Sequence, residues 1–174
     1  MNKKNGAKVL ERSLPSGKLS RNPEPTHVNS SLPITVLHVD DDSNDTVLLQ
    51  AAAHKAGVHF NLINVSDGEQ AMAYLSGLGQ YADRFRFPLP SLILLDLKMP
   101  RLTGFEILKW IRTHRTLGEL PVLVLSGSQL QDDMRQAYAG GANSYLVKPL
   151  GFDSLVSLIQ NIDSKWLRSA PRTE

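Results

Sequence analysis

The chain has 174 residues, a formal net charge of +2, ordinary apolar (41%) and charged (21%) fractions, and no cysteine. That length suits one domain with tails and a buried core, and the missing cysteine excludes a disulfide framework, a thiolate nucleophile and a cysteine-based zinc site. No apolar run approaches a membrane span and the N-terminus lacks the apolar core of a signal peptide, so a cytoplasmic location with no membrane attachment is expected.

Residues 1–32 are rich in Asn, Ser, Gly and Lys, contain Pro15, Pro23 and Pro25, and show little apolar periodicity. The first thirty residues carry Lys3, Lys4, Lys8, Arg12, Lys18 and Arg21 against Glu11 and Glu24, a net of +4, which leaves −2 for residues 31–174. Such a segment is expected to be a basic, disordered, solvated arm. Its basic residues are able to touch nucleic acid or a partner, but the domain itself has no basic footprint and nucleic acid is not the expected ligand.

From residue 33 the pattern changes. Ile34–Val39 is β-branched and apolar and ends at Asp40-Asp41-Asp42, which reads as a first strand. Asp42 or Ser43 is placed to cap a helix with Val47, Leu48, Ala51 and Ala52 on one face, and Gly57 is its stop signal. Phe60–Val65 reads as strand 2, and Ser66 with Glu69 has the spacing of a capping box for a second helix through Ala71, Met72 and Leu75. The connection from Gly77 to Pro90 is longer than usual. It holds Tyr81, Phe85 and Phe87, so it is expected to pack down or to meet a partner. Leu92-Ile93-Leu94-Leu95 then runs without polar alternation into Asp96, the pattern of a strand covered on both faces. A third helix begins at Gly104 and carries Phe105, Ile107, Leu108 and Ile111. Pro121–Leu125 is strand 4, ending at Ser126, and Ser128 with Gln131 is a further candidate capping box for a helix that stops at Gly140-Gly141. Ser144–Val147 is strand 5, ending at Lys148-Pro149, and Phe152, Leu155, Leu158, Ile159, Ile162 and Trp166 recur at helical spacing in the last helix. Residues 169–174 read as a C-terminal tail.

Five alternations of strand and helix predict an α/β fold: a doubly wound, five-stranded parallel sheet flanked by five helices, joined by right-handed crossovers. In such a sheet every strand C-terminus lies on one edge, where open α/β sheets bind ligands. That edge would collect Asp40 and Asp41, Asp96, Ser126 and Lys148. Each residue alone has an ordinary structural reading: an acidic capping turn, a strand-end turn residue, a solvated lysine. Together they specify chemistry. Like charges at 4 Å repel by about 4 kcal/mol at an effective dielectric near 20, so several carboxylates need a counter-charge. Lys148 supplies one, and a hard divalent cation, Mg²⁺ by its preference for an incomplete oxygen cage with retained waters, supplies more. Asp96 is then the candidate carboxylate nucleophile toward phosphorus, with Lys148 and Ser126 stabilising the phosphoryl oxygens.

The ordered set Asp40-Asp41, Asp96-Leu97-Lys98-Met99-Pro100, Gly104, Ser126, Tyr145 and Lys148-Pro149 resembles a response-regulator receiver domain over residues 33–168. The resemblance implies a flavodoxin-like (CheY-like) sheet of order 2-1-3-4-5 and makes Asp96 the phosphoacceptor. It also implies Mg²⁺ held by Asp41, Asp96 and the backbone carbonyl of Lys98, with Asp40 acting partly through water. It further implies a cis peptide before Pro149 and a switch in which Ser126 and Tyr145 move together and alter the surface of helix 4, strand 5 and helix 5. The implied partners are a sensor histidine kinase or a histidine phosphotransfer protein, with a homodimer through the switch face as a further expectation. Ser126 stands where threonine is commoner in the family, Gly127 is a minimal residue beside it, and Asp42 adds a third acid to the first loop. The long Gly77–Pro90 connection resembles that of stand-alone receivers paired with phytochrome-type kinases.

Two other readings fit part of the pattern. A phosphatase that works through an aspartyl phosphate would commonly place a second carboxylate two residues after the nucleophile, where this chain has Lys98. A receiver-like scaffold that is never phosphorylated would not need the acidic pair, Asp96 and Lys148 together. The expected protein is therefore a signalling phosphoacceptor and not a turnover enzyme.

Overall fold

The computed structural model describes residues 34–168; the predicted arm over 1–32 and tail over 169–174 lie outside the described residues. Five strands, β1 (Thr35–Val39), β2 (Asn61–Val65), β3 (Leu92–Leu95), β4 (Val122–Ser126) and β5 (Ser144–Val147), form one sheet of order β2-β1-β3-β4-β5. Every neighbouring pair is parallel. This is the predicted doubly wound α/β architecture and strand order.

Side-chain parity explains why the central strands read as unbroken apolar runs. Leu37, Val39, Ile93, Leu95, Val122 and Val124 join one core layer, while Val36, Leu92, Leu94, Leu123 and Leu125 join the other. The first layer packs against α2 (Gly68–Ser76), α3 (Gly104–Thr113) and α4 (Gln131–Ala139); the second packs against α1 (Ser43–Ala56) and α5 (Phe152–Ile162). A strand buried on both faces has no solvent side to make polar. In register, Val39 lies opposite Leu95 and Leu95 opposite Val124, so Asp40 and Asp96 emerge next to each other at the C-terminal edge.

α1 turns a different face inward from the one its sequence suggested. Leu49, Ala52 and Ala53 are buried, whereas Val47 and Leu48 remain exposed. Its middle, Val47 to Ala53, is apolar apart from Gln50, so helical spacing allows two stripes. The choice falls to packing: the Leu49 stripe meets α5 residues Ile159 and Ile162 in the same core layer.

Helix caps also shift. Asp42 caps α1 by accepting from the Asn44 amide at 2.8 Å. The cap of α2 is Asp67 and not Ser66: its carboxylate accepts from the Gln70 backbone at 2.8 Å, a stronger acceptor one residue further on. α4 has Leu130 at its N-cap with no side-chain bond, and the Ser128 hydroxyl bonds Asp133 instead of closing a box with Gln131. The complete capping box belongs to α3, between Thr103 and Glu106.

The Gly77–Pro90 connection packs down, as one of its two expected behaviours required. Tyr81 and Phe87 close edge-to-face on Tyr74 with centroids 5.3 and 6.2 Å away. Arg84 donates to the Tyr74, Leu75 and Phe87 carbonyls at 2.8, 2.8 and 3.2 Å, which satisfies the end of α2. Phe85 alone of the three loop aromatics faces solvent.

Candidate functional site

The site grows from the ends of four strands. The Asp40 amide is tied to the Val65 carbonyl at 3.1 Å and the Asp96 amide to the Val39 carbonyl at 2.9 Å, so the sheet ladder sets the start of both loops. Lys148 is positioned likewise, its amide donating to the Ser126 carbonyl at 2.9 Å. Gly104, the first residue of α3, lies so close to the chain leaving β3 that an added Cβ would sit 2.1 Å from the Asp96 carbonyl oxygen. The loop that bears Asp96 is thus pinned between sheet and helix.

The predicted residues come together. Asp40, Asp41 and Asp96 each offer a carboxylate oxygen within 4.8 Å of the others. Asp40 is 1% and Asp96 7% exposed, while Asp41 faces solvent. The Lys148 ammonium lies 2.7 Å from Asp40 Oδ2, 2.6 Å from Asp45 Oδ2 and 3.8 Å from Asp96 Oδ2. Ser126 ends β4 fully buried, and its Oγ accepts from the Ser128 amide at 3.3 Å. Tyr145 sits on β5, half-buried against the core, and its hydroxyl donates to the Ser128 carbonyl at 2.9 Å. The tie between Ser126 and Tyr145 therefore runs through the β4–α4 loop. Lys98 is exposed. There is no cis peptide among the described residues, so the bond before Pro149 is trans, the isomer that X–Pro bonds favour by about 0.5–1 kcal/mol.

The electrostatics divide the carboxylates by role. Burial works to raise the pKa of Asp40, but the His38 imidazole, the Lys148 ammonium and the Asp42 amide beside it outweigh burial and hold the group at about 2. Burial raises Asp96, and the charge of Asp40 adds to that; Lys148, the Leu97 amide and the Ser126 hydroxyl pull the other way without cancelling it. Burial opposes the Lys148 ammonium, yet hydrogen bonds to Asp40 and Asp45 and the charge of Asp96 keep its pKa above the ordinary value. Asp40, Asp45 and Asp96 share one lysine, and Asp41 adds a further carboxylate beside Asp40 and Asp96, an excess of negative charge that favours a cation. The donor set of three carboxylates with no sulfur fits a hard divalent ion.

A dependence on acidity follows. Asp40 ionises at about 2 in the folded chain against an ordinary 3.8, so its contribution is complete above 3.8 and is lost as pH falls through about 2. The full effect is about 2 kcal/mol. Urea unfolding in chelator should show the unmodified protein losing stability more steeply than Asp40→Asn across that window.

Two groups at the site escaped the sequence reading. Asp45 shares Lys148 with Asp40; its four-residue offset from Asp41 was a usable signal, but an acid in the first turn of a helix already has an ordinary dipole explanation. His38, buried within β1, reaches Asp40 from behind, with Nε2 3.3 Å from Oδ2. Two larger recesses of about 420 Å³ lie elsewhere, one between α3 and α4 and one between α2 and the Gly79–Tyr81 turn, and neither contains Asp96.

Comparison with known proteins agrees with this arrangement. The family described as "Response regulator receiver domain" matches residues 36–160. Response regulator Rcp1 of Synechocystis sp. is 36% identical over 140 residues, 80% of this chain and 93% of its own. The probable methanogenesis regulatory protein FilR2 of Methanothrix harundinacea is 36% identical over 135 residues, 78% of this chain and 84% of its own. Among solved structures, response regulator RPA3017, described as acting in red light signaling of R. palustris, has a TM-score of 0.76 at 35% identity, covering 81% of this chain and 99% of that one. The phosphorylated cyanobacterial phytochrome response regulator RcpA has a TM-score of 0.73 at 34% identity, covering 82% and 99%. A Mn²⁺-bound form of Rcp1 is also similar, with a TM-score of 0.71 at 34% identity, covering 82% and 100%. A family match across most of the chain, with relatives aligned along nearly their whole length, establishes that this chain belongs to the response regulator receiver domains of two-component systems.

Proposed function

We propose that the chain accepts a phosphoryl group on Asp96 from the phosphohistidine of a sensor histidine kinase, or of a histidine phosphotransfer protein, and passes the change to its α4–β5–α5 surface. The observation that carries this reading is the gathering of Asp40, Asp41 and Asp96 within 4.8 Å, with the Lys148 ammonium 3.8 Å from Asp96. An Asp96 carboxylate oxygen forms the new P–O bond while the P–N bond to histidine breaks. The electron pair stays on the imidazole nitrogen, which takes up a proton. The product is an aspartyl phosphate. Asp40, Asp41, Asp96 and the Lys98 carbonyl would hold Mg²⁺, which supplies charge neutralisation for the phosphoryl oxygens when bound. Lys148 contributes its fixed positive charge, and Ser126 offers a hydroxyl donor.

The switch then has a local cause. A new anion at Asp96 attracts the Ser126 hydroxyl and competes for Lys148, and the β4–α4 loop transmits the movement to Tyr145 through the Ser128 carbonyl. A homodimer on the α4–β5–α5 face is consistent with this reading. A phytochrome-type kinase is the proposed donor, supported by the phytochrome response regulators among the similar structures. A phosphatase reading lacks a second carboxylate at position 98, and the protein acts as a phosphoacceptor, not as a turnover enzyme. No helix among the described residues is long and apolar enough to cross a membrane.

The test is incubation with acetyl phosphate and Mg²⁺ followed by intact-mass measurement. One phosphoryl group per chain, lost in hydroxylamine and absent with chelator, is expected; no uptake would overturn the reading. Phosphotransfer profiling against the host's histidine kinases then identifies the donor, and exclusive transfer from kinases without a phytochrome sensor would refute the phytochrome pairing.

A further inference from the structure

We propose that His38 is a positioning residue that holds the Asp40 carboxylate in its cation-binding orientation, with Thr46 supporting the imidazole in the tautomer that Asp40 selects. The proposal rests on the cation-site reading of Asp40, Asp41 and Asp96 given above. His38 lies inside β1 between Leu37 and Val39, opposite Leu94 of β3, and is 1% exposed. An imidazole there gives up its hydration, and protein partners must replace it. Nδ1 has one, Thr46 Oγ1 of α1, at 3.1 Å. Nε2 makes no aligned hydrogen bond among the described residues and faces Asp40 Oδ2 at 3.3 Å.

The tautomer follows from charge. A proton on Nδ1 would leave the Nε2 lone pair against a carboxylate oxygen, which is repulsive. A proton on Nε2 points a donor at that oxygen and leaves Nδ1 as an acceptor. The Thr46 hydroxyl can donate, so it completes the second arrangement. The result is a directed chain in which Thr46 Oγ1–H donates to His38 Nδ1 and His38 Nε2–H is presented to Asp40 Oδ2.

The other donors on Asp40 show what this chain adds. The Asp42 amide holds Oδ1 at 2.9 Å, while Lys148 reaches Oδ2 at 2.7 Å and also serves Asp45 and lies near Asp96. Lys148 is long and partly exposed, and a phosphoryl group on Asp96 would compete for it. His38 is rigid, buried and committed to Asp40. Its Nε2, 3.3 Å from Oδ2, stays beside that oxygen when Lys148 is drawn toward Asp96. Orienting partners of metal-binding groups typically change affinity by 10–100-fold when removed.

Mn²⁺ binding by the full chain, read from the electron paramagnetic resonance signal of free Mn²⁺, tests this without any phosphotransfer. His38→Val, a substitution suited to a buried strand, is expected to weaken Mn²⁺ binding about tenfold while leaving the urea midpoint equal or higher. Thr46→Val should weaken it less, and the double variant should be no worse than His38→Val alone. A purely structural histidine would lower the midpoint and leave affinity unchanged. Affinity within about twofold of the unmodified chain in His38→Val would overturn the proposal; should that variant not fold, the same outcome in Thr46→Val overturns it. Asp41→Asn separates the two readings. If the unmodified chain binds Mn²⁺ and Asp41→Asn abolishes binding, unchanged affinity in His38→Val sinks only the role of His38. If the unmodified chain does not bind Mn²⁺, both readings fall.

Discussion

Asp96→Asn is expected to abolish phosphoryl uptake, by a factor on the order of a thousand or more, because the variant has lost its nucleophile and not merely a helper. The amide has nearly the shape of the carboxylate, so the buried pocket at the end of β3 is preserved. Its nitrogen cannot form the acyl phosphate, and its neutral oxygen is a poor nucleophile. A second consequence separates this from misfolding. Burial and the neighbouring charge of Asp40 raise the Asp96 pKa in the folded chain. Above that pKa the ionised group costs folding free energy, so removing its charge at neutral pH should raise the urea midpoint. Lost uptake with an equal or higher midpoint is the expected pair of results. Normal phosphoryl stoichiometry in the variant would show that another residue is the acceptor.

Gly104→Ala is expected to destabilise the domain by about 3 kcal/mol or more, the upper end of the overpacking range. The new Cβ would meet the Asp96 carbonyl oxygen at 2.1 Å, the Leu97 Cα at 2.8 Å and the Asp96 carbonyl carbon at 3.0 Å. All three are backbone atoms, so no flexible side chain can swing away. Relief requires α3 to lift from the β3 end or the loop bearing Asp96 to move, and the hydrogen bond from the Gly104 amide to the Leu97 carbonyl at 3.1 Å resists both. Phosphoryl uptake should therefore slow together with the fall in stability, measured by urea unfolding and acetyl phosphate labelling. Gly127→Ala is the control: an added Cβ there meets nothing within 4 Å. A Gly104→Ala loss within about 0.5 kcal/mol, the range of an ordinary surface change, would mean that the close approach has no energetic role.

Much of the site was legible because of one topological rule. A parallel sheet delivers all its strand ends to one edge, so recognising five strands was enough to bring Asp40, Asp41, Asp96, Ser126 and Lys148 together on paper. What escaped was local geometry with two chemically reasonable solutions. Ser66 and Asp67 both suited the N-cap of α2, and the carboxylate won. Val47 and Leu49 both began an apolar stripe on α1, and the stripe facing Ile159 and Ile162 was the one buried. Asp45 looked like a helix-dipole acid until α1 placed it 2.6 Å from Lys148, a residue 103 positions later in the chain.

Periodicity, strand-end chemistry and spacing are properties of the chain read in one dimension. They sufficed for the α/β class, the number of strands and the acidic trio with its lysine, because each depends on residues near in sequence or on a rule that holds for any parallel sheet. The tertiary structure alone decided which partners share Lys148, that Gly104 presses on the carbonyl of Asp96, and that Thr46 of α1 meets the buried His38 of β1. Those contacts depend on distances between elements, and sub-ångström packing, not sequence spacing, sets them.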